Sequence, residues 1–178
     1  MADREHLILT AVGPDQVGLV EKISEFIVRR GCNIEDSKMA VFCGEFAVII
    51  LIGGAPNALL TLSSSYRELE TETRLTISLK TPAIRPSSGS SLPYRLVASC
   101  MDHPGIVHRL SQVLSRHGVN IESMETKTYA APVSGTPIFC LEATVSIPVA
   151  TNVNRVREQF AEIQREENID IELTPAKT

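Results

Sequence analysis

Two kinds of hydrophobic spacing run along the chain. Leu19, Ile23, Phe26 and Ile27 recur at i, i+4, i+7 and i+8, which is one face of an amphipathic helix. Leu75, Ile77 and Leu79 instead alternate with polar neighbours, as a half-buried strand does. Read from the N-terminus, these patterns predict a strand at HLILTAVG, a helix from Gln16 to Arg30 and a strand at NIEDSKMAVF. A tight turn at Cys43–Gly44 leads to a strand at EFAVIILIG, a helix from Ala58 to Glu70 and a last strand at RLTISLK. Asp15 and Asp102 stand where N-cap carboxylates would accept from first-turn amides. Pro104 falls in a predicted first turn, and Gly31 and Gly118 stand where a left-handed residue would end a helix.

The whole pattern occurs twice. Shifting the chain by 87 superposes Asp15 to Glu35 on Asp102 to Glu122 with nine identities in twenty-one positions, where ordinary residue usage gives about one. Asp15, Gly18, Val20, Ser24, Arg29, Gly31, Asn33, Ile34 and Glu35 are the repeated residues. Further on the offset is 94: Leu59, Leu62, Tyr66 and Leu69 match Val153, Val156, Phe160 and Ile163. The seven additional residues are expected in AAPVSGT, Ala130 to Thr136. Between the copies, TPAIRPSSGSSLP (Thr81 to Pro93) carries three prolines and a Ser/Gly cluster, which argues against a helix or a central strand there. The expected organisation is a domain at 1–80, a linker at 81–92 and a second domain at 93–178. Each copy has the βαββαβ order, so the fold class is α+β: two ferredoxin-like units, antiparallel sheets with helices on one face. The strand FAVIILIG is apolar at successive positions and so predicts cover on both sides, from the sister domain or another chain.

Composition narrows the function. Hydrophobic residues make up 43% of the 178, enough for packed cores, and with no Trp those cores must be built from Val, Ile and Leu. The formal net charge is −4 without a run of Lys or Arg, which disfavours direct nucleic-acid binding. The start, MADREHLILTAVG, lacks signal-peptide features, and FAVIILIGG is too short to span a bilayer, so a cytoplasmic location is expected. Cys32, Cys43, Cys100 and Cys140 form no CxxC pair and read as inert thiols in apolar strands.

The repeated DxxG lies where a strand hands over to a helix. Amides there carry the positive end of the helix dipole and suit a carboxylate, and a glycine clears the approach. Asn33 and Asn120 open the next strands and offer donors and acceptors. Together these groups suit a small zwitterion. Structural roles stay open at each position: Asp as cap, Gly for close helix–sheet packing, Asn as a turn residue. His103, His108 and His117 are spaced wrongly for a metal pair on one helical face, and no catalytic motif is present. Glu70/Glu72 and Glu166/Glu167 read as solvated surface. No catalytic residue, metal or cofactor is expected.

The stretches GPDQVGLVEKISEFIVRRGCNIEDSKM and CMDHPGIVHRLSQVLSRHGVNIESMET resemble the ACT domain, a regulatory amino-acid-binding module. Their tandem arrangement, with CGEFAV and GTPIFCLEATVSIP, is most similar to the glycine cleavage system transcriptional repressor group. The resemblance implies ligands at interfaces between ACT domains, at Asp15, Gly18, Asn33 and Ile34 and at Asp102, His103, Gly105, Asn120 and Ile121. Gln16–Val17 departs from the His-Pro or Arg-Pro common before the first glycine, whereas His103–Pro104 keeps it. It further implies a non-catalytic homodimeric regulator that senses a small amino acid, glycine favoured, and controls a transcription regulator by protein contact. Two other readings stay open at this point. One is a ligand-independent dimerising module. The other is the detached regulatory half of an amino-acid or one-carbon enzyme, against which stands a chain that stops at ELTPAKT soon after its last strand.

Overall fold

A computed structural model describes residues 5–83 and 90–176. The chain divides into two compact units, Met1–Ile84 and Arg85–Thr178. In the first, β1 (Glu5–Pro14), α1 (Leu19–Arg29), β2 (Asn33–Phe42), β3 (Glu45–Gly54), α2 (Pro56–Thr73) and β4 (Thr76–Lys80) follow in order. The second repeats this with β5 (Ser91–Met101), α3 (Ile106–Arg116), β6 (Asn120–Ala130), β7 (Pro137–Pro148), α4 (Val153–Glu167) and β8 (Asp170–Pro175). Both sheets are antiparallel, ordered β2-β3-β1-β4 and β6-β7-β5-β8. The βαββαβ reading of each copy is therefore correct. The expected linker lies in part on 84–89, outside the described residues.

Periodicity explains the packing. Leu7, Leu9 and Ala11 of β1 and Phe46, Val48, Ile50 and Ile52 of β3 point to one side, where Leu19, Ile23 and Ile27 of α1 and Leu62 and Leu69 of α2 close over them. The second core repeats this with Leu96, Ala98, Leu141, Val145, Leu110, Leu114, Val156 and Phe160. Each of the Leu, Ile, Val and Phe side chains among them contributes about 1.5–3 kcal/mol by leaving water. The opposite faces differ. In the first sheet Ile49, aligned with Thr10 and Lys38, is 47% exposed; in the second the Arg95–Glu142 pair at 2.8 Å occupies that face.

Register corrects the count of additional residues. Phe46 and Phe139 are counterparts, as are Gly53 and Ser146, so the offset across β3/β7 is 139 − 46 = 93. Six additional residues thus lie in the β6–β7 hairpin and the seventh between β7 and α4. The first hairpin needs only Cys43 and Gly44, both at positive φ (50° and 83°), as a two-residue type I′ turn demands. Cys43 is therefore an exposed turn residue, not a strand thiol, and Cys32, though buried, lies just beyond α1. Pro93 sits inside the central strand β5, contrary to expectation. It does so at the strand's start, before the β8 ladder begins at Tyr94, where a missing N–H costs little.

Both first helices end in the same way. Gly31 (φ 73°) and Gly118 (φ 67°) donate to Val28 and Ser115 at 2.9 and 3.0 Å, and Cys32 and Val119 donate to Ile27 and Leu114 at 3.2 and 2.9 Å. This is the Schellman pattern. Gly118→Ala is expected to cost about 1–2 kcal/mol, because an L side chain must enter the left-handed region. Gly118→Asn should cost less. Chemical denaturation of both variants checks the order.

Candidate functional site

The strand–helix turns differ from expectation in where the helices start. Each helix begins only after its glycine: Gly18 (φ 94°) and Gly105 (φ 101°) are themselves the N-caps, in the left-handed conformation. Asp15 and Asp102 are therefore not caps. Their backbone N–H groups instead donate to Gly44 and Pro137 at 2.8 and 2.9 Å, fixing each turn against the tip of the neighbouring hairpin. Pro104 likewise lies before the helix, in the turn itself. Close packing does not explain the glycines. A Cβ at Gly105 would meet nothing within 4 Å, and at Gly18 only Glu21 Oε2 at 3.8 Å. The left-handed backbone requires them.

The consequence is electrostatic. Neither α1 nor α3 has a side-chain cap, whereas α4 has one in Asn152, which accepts from Asn154 N at 3.0 Å. The first i→i−4 bonds are Lys22 to Gly18 (3.0 Å) and Arg109 to Gly105 (2.9 Å). Ahead of them, among the described residues, the amides of Val20 and Glu21, and of Ile106, Val107 and His108, have no acceptor within the chain. First-turn amides at the positive end of a helix dipole are suited to an anionic oxygen. His103 borders the second turn half-buried, its Nδ1 3.3 Å from the Pro104 carbonyl, to which it can only donate.

Asn33 and Ile34, and Asn120 and Ile121, stand elsewhere. Asn33 pairs with Gly53 on β3, while the Asp15 turn is fixed beside Gly44 and Glu45. Gly53 lies eight positions beyond Glu45, about 27 Å of strand. In the second unit Asn120 pairs with Ser146, nine residues from Pro137 and about 30 Å away. Each unit thus brings Asp and Gly together at one end of its sheet and Asn and Ile together at the other. Asn120 and Ile121 border a broad groove of about 680 Å³ that runs along α3 past Ser111 and Ser115. Ile34 and Ile121 pack against their cores.

Beside each Asn lies a residue that sequence reasoning passed over. The β2 and β6 ladders slip between Ile34 and Asp36 and between Ile121 and Ser123, leaving Glu35 and Glu122 as bulge residues. Glu122 accepts from Asn120 Nδ2 at 2.8 Å, and this bond, with a second from Ser146, holds its carboxyl below the usual glutamate range. Glu35 folds over Gly53 and meets His6 Nε2 at 2.8 Å. Both glutamates were among the repeated identities, which was the available signal. The acidic pairs near the helix ends also have partners: Glu72 with Lys22 (3.4 Å) and Glu166 and Glu167 with Arg109 (2.8 and 2.7 Å). Among the described residues no group of three or more His, Cys, Asp or Glu could hold a metal ion, and no helix is long and apolar enough to cross a membrane.

Comparison with known proteins agrees with this architecture. Models of the ACT domain match residues 5–80 and 94–148. The chain belongs to the ACT-domain family. This tandem ACT protein is 26% identical over 168 residues to the glycine cleavage system transcriptional repressor of Escherichia coli (strain K12), covering 94% of this chain and 88% of that one. A crystal structure of an unknown protein from Galdieria sulphuraria is 26% identical, with a TM-score of 0.82 over 98% of this chain and 100% of the other. A second solved structure, provisionally assigned as a glycine cleavage system transcriptional repressor, is 21% identical with a TM-score of 0.72 over 99% and 100% of the two chains. At that identity it shows the shared fold.

The lowered Glu122 carboxyl predicts a pH effect. A depressed folded value stabilises the fold above the unfolded value of about 4.3, and this contribution is lost as pH falls through the folded value. Glu122→Gln should therefore shrink the acid-side loss of stability below about pH 4.3 while altering its shape little near pH 7. Denaturation midpoints measured from pH 2.5 to 7 give the comparison.

Proposed function

We propose that this ACT-domain protein is a non-catalytic, cytoplasmic regulator that senses a small amino acid, glycine first, and controls a transcription regulator through protein–protein contact. The observation carrying this reading is the pair of uncapped helix starts behind Gly18 and Gly105. These amides are open to an α-carboxylate, and the glycines leave no side chain in its path. Glycine is favoured because the name of the Escherichia coli relative ties it to the glycine cleavage system. A net charge of −4 argues for a protein partner rather than direct contact with DNA.

The separation of turn and Asn corner supports a two-module mechanism. One small amino acid cannot span about 27 Å. A ligand that joins its carboxylate to a turn and its ammonium to an Asn must therefore use the turn of one ACT module and the corner of another. Homodimerisation supplies such a partner. The ligand then favours the arrangement that completes the site, by as much as its affinity for that arrangement exceeds its affinity for the alternative.

Calorimetric titration of the purified protein with single amino acids tests this. Glycine or a close analogue should bind, and Gly105→Leu should weaken binding roughly tenfold or more, since it strains a φ of 101° and places a side chain over the amides. Absence of heat across the panel, with partner binding unaffected by Gly105→Leu, would remove the sensing role.

A further inference from the structure

The open faces of the two sheets, those turned away from the helices, carry opposite chemistry. In the first unit the central strands present Ile8, Thr10 and Val12 of β1 and Ala47, Ile49 and Leu51 of β3 there. The 87 and 93 offsets put Arg95, Val97, Ser99, Cys140, Glu142 and Thr144 at those positions in the second. Ile8 and Ile49 thus correspond to Arg95 and Glu142, which are paired at 2.8 Å. Lys127 also acts on Glu142, and Glu172 on Arg95, so charge runs across that whole face. The second face is finished for water. The first is not: Val12 and Ile49 are 52% and 47% exposed on it.

The apolar centre of the first face has a charged perimeter. Asp36 and Lys38 lie on edge strand β2, Lys80 on edge strand β4 and Glu45 at the end of β3. An apolar middle inside a polar rim is the layout of a protein interface. Both signs occur on the rim, so a two-fold rotation of the face onto itself can set lysine against carboxylate. Thr10 and Ala47 beside Ile49 are small, which leaves room for side chains of an opposing sheet. The area is sufficient as well. At about 3.4 Å per residue and about 4.8 Å between strands, strands of 10, 10, 10 and 5 residues offer about 570 Å² of flat face. Two such faces bury about 1,100 Å², above the roughly 1,000 Å² that a specific interface must clear. The matching face of the second unit is the wrong cover, since burying Arg95 and Glu142 against Ile49 would strip water from both charges.

We infer that the open face of β2-β3-β1-β4 is an interface between two copies of this chain, packed sheet against sheet about a two-fold axis. This gives the homodimer of the proposed function a surface and rests on that part of the reading alone. Helices α1 and α2 close over the other side of the same sheet, so the Gly18 turn takes no part in the contact.

The test is the mass of the full chain in solution, by light scattering and sedimentation over a wide dilution series. The wild-type chain should be a dimer that dissociates on dilution, with methyl signals of Ile8, Ile49 and Leu51 shifting as it does. Ile8→Arg combined with Ile49→Glu installs the pair that the second copy carries on the same backbone. It should raise the dimer dissociation constant roughly a hundredfold or more, because each buried charge occurs twice in the contact, and leave melting cooperative. Ile49→Thr should raise it roughly tenfold and covers the case of a double variant that fails to fold. A wild-type chain that is monomeric at every concentration overturns the inference, as does a dimer that both substitutions leave intact. Glycine calorimetry on the same proteins keeps the two questions apart. A dimer that persists in the variants while glycine still binds removes only the face; a dimer lost in the variants, with no glycine heat in the wild type, removes only the sensing.

Discussion

Everything distinctive in this chain depends on one backbone constraint: a left-handed glycine between a strand and a helix, made twice. With Gly18 and Gly105 at φ 94° and 101°, the helices start at Leu19 and Ile106, four residues after the aspartates that would otherwise cap them. The aspartates are then held by their backbone to the hairpin tips, and the first-turn amides are left without a side-chain acceptor. A side chain at the glycine would both strain the turn and stand over those amides. The same geometry therefore ends the sheet, begins the helix and exposes a partial positive charge.

Much of this is legible in the sequence. The helical stripes and alternating strands recur in one order in both copies, and the antiparallel βαββαβ unit follows from them. Gly31 and Gly118 were readable as helix ends because a positive φ after an amphipathic run has few other occupants. The helix starts were misread at Asp15 and Asp102, since an N-cap Asp and an Asp three residues ahead of a glycine cap look alike in sequence. Strand spacing was also silent on distance. Asp15 and Asn33 lie eighteen positions apart in sequence, 33 − 15, yet the register puts them at opposite ends of the sheet. The glutamate bulges escaped notice because a single unpaired residue leaves no trace in an alternating pattern that is already mostly polar.

The copies have kept one feature and diverged in others. The glycine turn, the Asn-Ile-Glu corner and the Schellman end are common to both. The surroundings are not. Glu35 meets His6 in one and Glu122 meets Asn120 in the other; the helix cleft is filled by Arg30 in one and open in the other. Even the open sheet faces differ, with Ile49 exposed on the first and an Arg–Glu pair on the second. A duplicated frame with unlike linings makes the two modules chemically distinct.

The measurement that bears most directly on the central claim is a structure of the protein crystallised with saturating glycine. The account predicts the ligand's carboxylate within hydrogen-bond reach of the amides that follow Gly18 or Gly105. Density for glycine elsewhere, with both turns empty or their amides taken up by protein side chains, would contradict it.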